Sequence, residues 1–385
     1  MSLNIADPRL ARLRGLKIAL VHEWLVSQRG GENVLDALCE MFPQAGVHVL
    51  LHKPGVCTPR IEAAHPQTSL LQKVPGIEKS YQYFLAVMPL AVRTLSLGDV
   101  DLVISSSHCV AKGVSVPAGA VHVSYIHAPM RYMWDRFDEY FNGARSGLLT
   151  RTAARVCRPY LQAWDKWSAK GPLKLVANSR FIAGRIREIY GRDAEVVHPF
   201  CELDRFRAAY ERRLVKPPGV DAPYLMVTAL VPYKRVDRAL EAFRGLDRDL
   251  WIVGDGADRE RLERSAGPRV KFLGPVPNEE LVALYAQARA LIFPGIEDFG
   301  IVPVEAMASG LPVIAFGEGG VLDTVVDGIT GMLYKGGAAS DLAAAVKRFE
   351  GLVIEPSACH DRAAQFSRDH FQEQMLRVLD GVLGK

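Results

Sequence analysis

The chain has no long apolar run. The longest, Phe84 to Val92, is nine residues with Pro89 inside it, far short of the roughly 20 apolar residues a helix needs to cross a bilayer. Cysteine is sparse: Cys39, Cys57, Cys109, Cys157, Cys201 and Cys359 include no C-x-x-C pair, which argues for reduced structural thiols and against a zinc or disulfide framework. Low-complexity segments and long internal repeats are also missing, and the composition excludes collagen and disorder. Gly254-Asp255-Gly256 lacks both the third glycine and the following acid of a dinucleotide fingerprint. Arg9, Arg12 and Arg14 precede the first strand-like run without an apolar h-region or a small-residue cleavage site. No signal peptide is therefore expected, and a cytoplasmic location is.

What is present is an ordinary soluble composition, 49% apolar and 23% charged over 385 residues, enough for two domains with separate cores. Charge is uneven. Residues 1–200 hold 24 Lys and Arg against 16 Asp and Glu, whereas the remainder holds 23 against 27. The excess concentrates between Arg145 and Arg192, where eleven basic residues meet only Asp165 and Glu188. Within it Leu149, Ala153, Val156, Tyr160, Trp164 and Trp167 recur at helical spacing, with Pro159 expected to bend or break the helix. Such a face is either an ordinary core stripe or a peripheral contact with a membrane surface through region 145–192; no nucleic-acid partner is expected.

Apolar β-rich runs alternate with helical patterns, which argues for parallel sheets with crossover helices. Residues 17–22, 46–51, 100–105, 121–126, 174–177 and 195–198 read as strands of a first domain. After a Pro-rich stretch at 217–223, read as a linker, residues 224–229, 249–253, 270–273, 290–293 and 313–315 read as a second series. In such sheets ligands bind beyond the carboxyl ends of the strands.

The chemistry-bearing residues follow those ends. Glu297 and Glu305 lie eight positions apart around Phe299-Gly300, and Pro303 is tolerated only in a first helical turn. The amides of Phe299, Gly300 and Ile301 then become unpaired helix-start donors suited to a diphosphate, while the carboxylates suit hydroxyls. Taken alone, the two glutamates could equally be a solvated loop acid and a helix-start acid. Lys234 in Leu230-Val231-Pro232-Tyr233-Lys234-Arg235 can neutralise a leaving diphosphate. Gly30 and Gly31 would let a backbone approach a ligand, or simply turn a strand into a helix. His127 ends a strand in His127-Ala128-Pro129-Met130-Arg131, and a lone histidine there could be structural. Asp99-Val100-Asp101 spells a metal-binding D-x-D, but it leads straight into an apolar strand and reads as structural, so no essential metal is expected.

The Glu297-to-Glu305 spacing resembles the E-x7-E motif of the family-4 retaining glycosyltransferases, and the His127-to-Arg131 segment is similar to that of bacterial polysaccharide glycosyltransferases. The resemblance runs from residue 17 to the last helix. It implies an α/β chain of GT-B fold, two Rossmann-like doubly wound domains facing across a cleft. The first spans 1–200, with residues 366–385 packing back on it, and the second, 201–365, binds the donor. It implies a retaining hexosyl transfer with no cofactor beyond a nucleotide-sugar cosubstrate, GDP-mannose foremost and a UDP-hexose second. The acceptor would be a glycan or a polyprenyl-diphosphate-linked sugar of a surface polysaccharide such as O-antigen. By the resemblance Glu297 contacts the sugar, Glu305 the ribose, Val276 the base through its backbone, Lys234 the diphosphate, and Gly30 and Gly31 line the cleft. His127 touches the donor sugar, with Arg131 and Trp134 shaping the acceptor side. Relatives carry an arginine where this chain has Ala229, so Arg235 or Arg29 would have to substitute, or Lys234 and the amides act alone. A glycoside hydrolase, a GT-B sugar-nucleotide epimerase and a non-catalytic binding module are the rival readings.

Overall fold

Runs of aliphatic and β-branched residues too short for helices pair side by side, and crossover helices keep every pairing parallel. The computed structural model describes residues 7–141 and 147–384. One unit runs to Pro199 and resumes at Arg368; the other runs from Phe200 to Ser367.

In the first unit the strands are β1 (Ile18–Leu25), β2 (Gly46–His52), β3 (Gln67–Thr68), β4 (Leu102–Ser107), β5 (Val121–Ile126), β6 (Lys174–Ala177) and β7 (Glu195–Val196). Their order is β3-β2-β1-β4-β5-β6-β7. In the second they are β8 (Tyr224–Val227), β9 (Leu250–Val253), β10 (Val270–Gly274), β11 (Leu291–Phe293), β12 (Val313–Phe316) and β13 (Gly331–Tyr334), ordered β10-β9-β8-β11-β12-β13. Both sheets are of Rossmann type, and each reverses direction once, between β1 and β4 and between β8 and β11. That reversal opens a crevice at the carboxyl ends of the central strands. Buried aliphatics on both faces of each sheet explain why these strands read as continuous apolar runs.

The proline-rich stretch 217–223 is not a boundary. It joins helix Arg207–Val215 to β8 inside the second unit. The helix is fastened there by Arg213, buried, which donates to the carbonyls of Gly310 (3.1 Å) and Ala288 (2.8 Å) and so satisfies the ends of two other helices. Proline content signalled a stiff connection, not a change of domain.

Helix Leu148–Ser168 runs through Pro159 without a break. Its inward face is not the stripe read from spacing. Leu161, Asp165 and Ser168 are buried and Trp164 closes over Gly113, where a Cβ would stand 2.4 Å from the indole. Val156, Tyr160 and Trp167 point outward, 73%, 49% and 50% exposed. Arg145 and the side chain of Leu149 lie outside the described residues. The helix is anchored by a buried ion pair, Lys112 Nζ to Asp165 Oδ1 at 2.5 Å, and Trp134 Nε1 and the Tyr190 hydroxyl donate to Asp165 Oδ2 at 2.8 and 2.9 Å. The last helix, Arg368–Leu383, packs in the first unit, where Arg368 bonds Asp36 and Glu40.

Candidate functional site

In the second unit the loops after β8, β11 and β12 meet backbone to backbone, which requires glycine. A Cβ on Gly295 would stand 2.9 Å from the Tyr233 carbonyl oxygen and 3.0 Å from Lys234 Cα; one on Gly320 would stand 2.3 Å from Phe299 Cα. The Gly320 amide donates to the Glu297 carbonyl at 2.8 Å. The Gly317-Glu318-Gly319-Gly320 turn is therefore a rest on which the Glu297 loop is set. Gly300 adopts φ 85° at the start of helix Ile301–Ala308, with Pro303 at its third position.

This packing brings Lys234 and Glu297 into direct ion pairing, their side chains only 15% and 23% exposed. No described residue accepts a hydrogen bond from the Gly300 or Ile301 amide. Phe299 is different: its side chain is core, edge-on to Phe366. One turn along the helix, Glu305 receives the Tyr285 hydroxyl at 3.2 Å. Burial raises the Glu305 carboxyl to about 7, opposed by the charge of Arg205 and by the Tyr285 bond. Arg205 is held by Asn278 Oδ1 at 2.6 Å. Val276 is half-buried in the turn after β10, beside the Gly254 loop, whose amide bonds Gly274 at 2.8 Å.

Arg235, offered above as a substitute for the arginine missing at Ala229, follows Lys234 directly at the start of helix Val236–Arg244. It sits in a left-handed conformation (φ 54°) and its guanidinium turns onto Asp237. Lys234 is the cation paired with Glu297 at this site, and the helix-start amides lie on the same loop as Glu297.

In the first unit β1, β4 and β5 place His22, Ser106 and His127 side by side. Ser106 Oγ lies 3.1 Å from His22 Nδ1 and 2.8 Å from His127 Nε2, and Asn178 Nδ2 donates to the His127 carbonyl at 2.9 Å. Gly31 fits against both rings; a Cβ there would stand 3.2 Å from His22 Cε1 and 3.8 Å from His127 Nε2. Gly30 has open space where a Cβ would be. Burial, with His108, His22 and Arg131 adding positive charge, holds His127 well below the ordinary histidine value, so it is neutral. His108 falls to about 4 chiefly through burial. Trp134 is half-buried, its indole N–H donating to Asp165 and its ring 5.2 Å from the Lys166 ammonium. Asp99 and Asp101 bind Lys17, through its ammonium (2.5 Å) and its amide (2.8 Å), at the amino end of β4.

Four groups escaped the sequence reading. Glu23, buried on β1, accepts from the Ser107 hydroxyl and the amides of residues 108 to 111. Burial opposes its charge, but His108 and those amides win and keep its pKa below the ordinary glutamate value. An acid in the middle of an apolar strand was its signal. Ser106, Tyr285 and Arg205 carried no local signal, because each acts through a partner distant in sequence.

Two parallel sheets of Rossmann order, one with a lysine–glutamate pair and open helix-start amides at its switch point, define an α/β protein with a candidate ligand site at that crevice. Comparison with known families sharpens this. A model described as Glycosyltransferase Family 4 matches residues 28–205, and one described as Glycosyl transferases group 1 matches residues 212–365. The first half of the chain is thus similar to one glycosyltransferase family and the second half to another, and its two Rossmann-like sheets match those of GT-B structures. The chain is 32% identical over 234 residues to D-inositol 3-phosphate glycosyltransferase of Rhodococcus erythropolis, covering 54% of this chain and 52% of the relative. To the Nocardia farcinica protein of the same name it is 34% identical over 246 residues, covering 54% and 53%. The chain thus spans about half the length of the curated relatives it matches. In fold it is similar to Anabaena HepE solved in complex with UDP, at a TM-score of 0.66, 18% identity and coverage of 95% of this chain and 100% of that one. Among the described residues no helix is long and apolar enough to cross a membrane.

Proposed function

We propose that the chain transfers a hexosyl group from a nucleoside diphosphate sugar to an acceptor hydroxyl with retention of configuration. The observation that carries this is the switch point of the second unit, where Lys234, Glu297 and two open amides adjoin Glu305. The bond from the anomeric carbon to the β-phosphate oxygen breaks, the electron pair leaving with the diphosphate. Lys234 and the helix-start amides stabilise that charge, each well-placed donor contributing about 3 kcal/mol. The acceptor oxygen bonds the anomeric carbon, and its proton passes to the departing phosphate. Donor binding exchanges the Lys234–Glu297 ion pair for phosphate on Lys234 and sugar hydroxyls on Glu297.

For the base, the UDP complex of the HepE structure favours a UDP-hexose over GDP-mannose, and the turn at Val276 supplies backbone groups to either. A thermal-shift panel with UDP, GDP, ADP and their sugars tests the reading, because a ligand that binds only the folded state raises Tm. Stabilisation by one nucleotide, lost in Glu305→Ala, is expected; no shift with any of them would leave a binding module of other specificity.

A lipid-linked acceptor belongs to the same reading. The outward face of helix Leu148–Ser168 sets Val156, Tyr160 and Trp167 among Arg155, Lys166 and Lys170, with the Arg93 guanidinium 5.1 Å from the Trp167 ring. Aromatic and basic side chains so mixed suit an anionic bilayer interface. Arg158 is not part of that face: it donates to the Met133 and Trp134 carbonyls. Val156→Ser with Trp167→Ser should abolish sedimentation with phosphatidylglycerol vesicles at low salt, and unchanged sedimentation would remove the membrane from the proposal.

A further inference from the structure

We infer that His108 is a second sugar-reading residue of the first unit: with His127 it forms a pair of imidazoles that hydrogen-bonds two hydroxyls of one uncharged sugar ring. The pairing begins in the strand register. Ser107 ends β4 opposite Ile126 at the end of β5, and the His127 amide donates to the Ser107 carbonyl at 2.8 Å. Residues 108 and 127 are therefore the next positions beyond two neighbouring strands, and their rings stand 6.3 Å apart at 73°. Both side chains are half-buried at the carboxyl end of the sheet. His108 is on the loop that leaves the β1–β4 switch point, where open parallel sheets take their ligands.

Three neighbours hold His108 there. Glu23, fully buried, gathers the amides of residues 108 to 111 on its two carboxylate oxygens, at 2.7 to 3.1 Å, and so fixes the loop. The Trp24 ring meets the imidazole at a right angle, 4.8 Å away, and Tyr81 backs Trp24 at 4.9 Å. The ring so placed has no polar use within the chain. Among the described residues none hydrogen-bonds either nitrogen of His108, or Nδ1 of His127.

These atoms suit a hydroxylated ring. Burial keeps both imidazoles neutral at pH 7, and a neutral imidazole offers one N–H and one lone pair. A hydroxyl answers either, so the match does not depend on which nitrogen carries the proton. An anion is the poorer guest, because the amide nest that would hold it at this switch point is filled by Glu23. Aromatic walls with a few convergent polar atoms are the common make-up of a small-molecule site. That the hydroxyls belong to a transferred or a receiving sugar rests on the transfer reaction proposed above; the pairing itself follows from this unit alone.

The test is modification of the full chain at pH 7 by diethyl pyrocarbonate, which acylates unprotonated histidine, each site being followed by peptide mass spectrometry. The probes are UDP, GDP, UDP-glucose, GDP-mannose, the methyl α-glycosides of glucose and mannose, and inorganic phosphate. At least one sugar-bearing probe should protect His108 and His127 together severalfold, while UDP, GDP and phosphate protect neither. Protection by a methyl glycoside assigns the pair to the receiving ring; protection by a sugar nucleotide alone assigns it to the transferred one. No protection by any sugar, or protection of His127 without His108, overturns the inference. Equal protection by UDP, GDP or phosphate would make this an anion site served by Arg131, whose charge reaches both rings, and overturns it as well. His108→Leu should weaken the protecting sugar about three- to tenfold with nucleotide affinity unchanged; no loss, or an equal loss of both, would leave His108 merely structural. Should that variant not fold, the protection map of the unaltered chain decides alone. No turnover enters the map, so sugar binding and sugar transfer fail separately.

Discussion

Replacing Glu305 by glutamine should make the protein more stable and worse at binding nucleotide, and pH should separate the two effects. Burial lifts this carboxyl from 4.5 to about 7. The folded state therefore holds a proton that the unfolded chain releases earlier. That contribution is fully present below about pH 4.5, drains as pH rises through about 7, and is gone above it; the gap corresponds to about 3 kcal/mol. Glutamine has no proton to lose. The variant's stability relative to the parent should grow by about 3 kcal/mol between pH 5 and pH 8, a relative gain in Tm of roughly 5 to 10 °C. Ligand binding should move the other way. An ionised Glu305 accepting ribose hydroxyls contributes about 1.5 to 3 kcal/mol, so Kd for the nucleoside diphosphate should weaken roughly tenfold to a hundredfold at pH 8. The parent's own affinity should rise with pH through 7 and then level. Differential scanning fluorimetry and titration calorimetry at pH 5.5 and 8 read both quantities. A stability difference that does not change with pH, or an unchanged Kd, would refute the reasoning.

Further outcomes follow from the same geometry. Lys234→Ala should reduce kcat/KM for the donor by about a hundredfold or more while leaving the fold intact by circular dichroism; a loss below about threefold would mean that the helix amides suffice. Gly320→Ala drives a methyl into Phe299 Cα, displacing the Glu297 loop. It should cost about 1 to 3 kcal/mol in chemical denaturation and weaken donor binding, whereas Gly30→Ala, with open space around it, should leave stability unchanged. Asp165→Ala leaves Lys112 buried without its partner and should cost about 3 to 5 kcal/mol, seen as a lower urea midpoint.

The sequence disclosed this architecture because its strands are short apolar runs between helical patterns, and because glycine and proline mark the loops that must approach closely. Phe299-Gly300 and Pro303 placed a helix start correctly from backbone rules alone. Spacing misled at helix Leu148–Ser168, where the core-facing positions Ala154, Cys157, Leu161, Asp165 and Ser168 are displaced by one residue from the apolar period, sending Val156, Tyr160 and Trp167 outward. At 217–223 proline marked a connection, which joins helix Arg207–Val215 to β8 inside the second unit. Two of the short strands, Gln67–Thr68 and Gly331–Tyr334, had too few residues to carry a period. The groups that tune the candidate site, Tyr285 on Glu305 and Ser106 on His127, are 20 and 21 residues from their partners along the chain. Only the folded sheet order brings them together.

The most direct test of glycosyl transfer is chromatographic quantitation of nucleoside diphosphate released from UDP-glucose and from GDP-mannose, with and without a polyprenyl-diphosphate-linked sugar, for the wild type and Lys234→Ala. Acceptor-dependent release from one donor, abolished by the substitution, is the expected result. Release that ignores the acceptor would point to hydrolysis, and a donor converted without release to epimerisation. No turnover of either donor, or equal turnover in Lys234→Ala, would contradict the account.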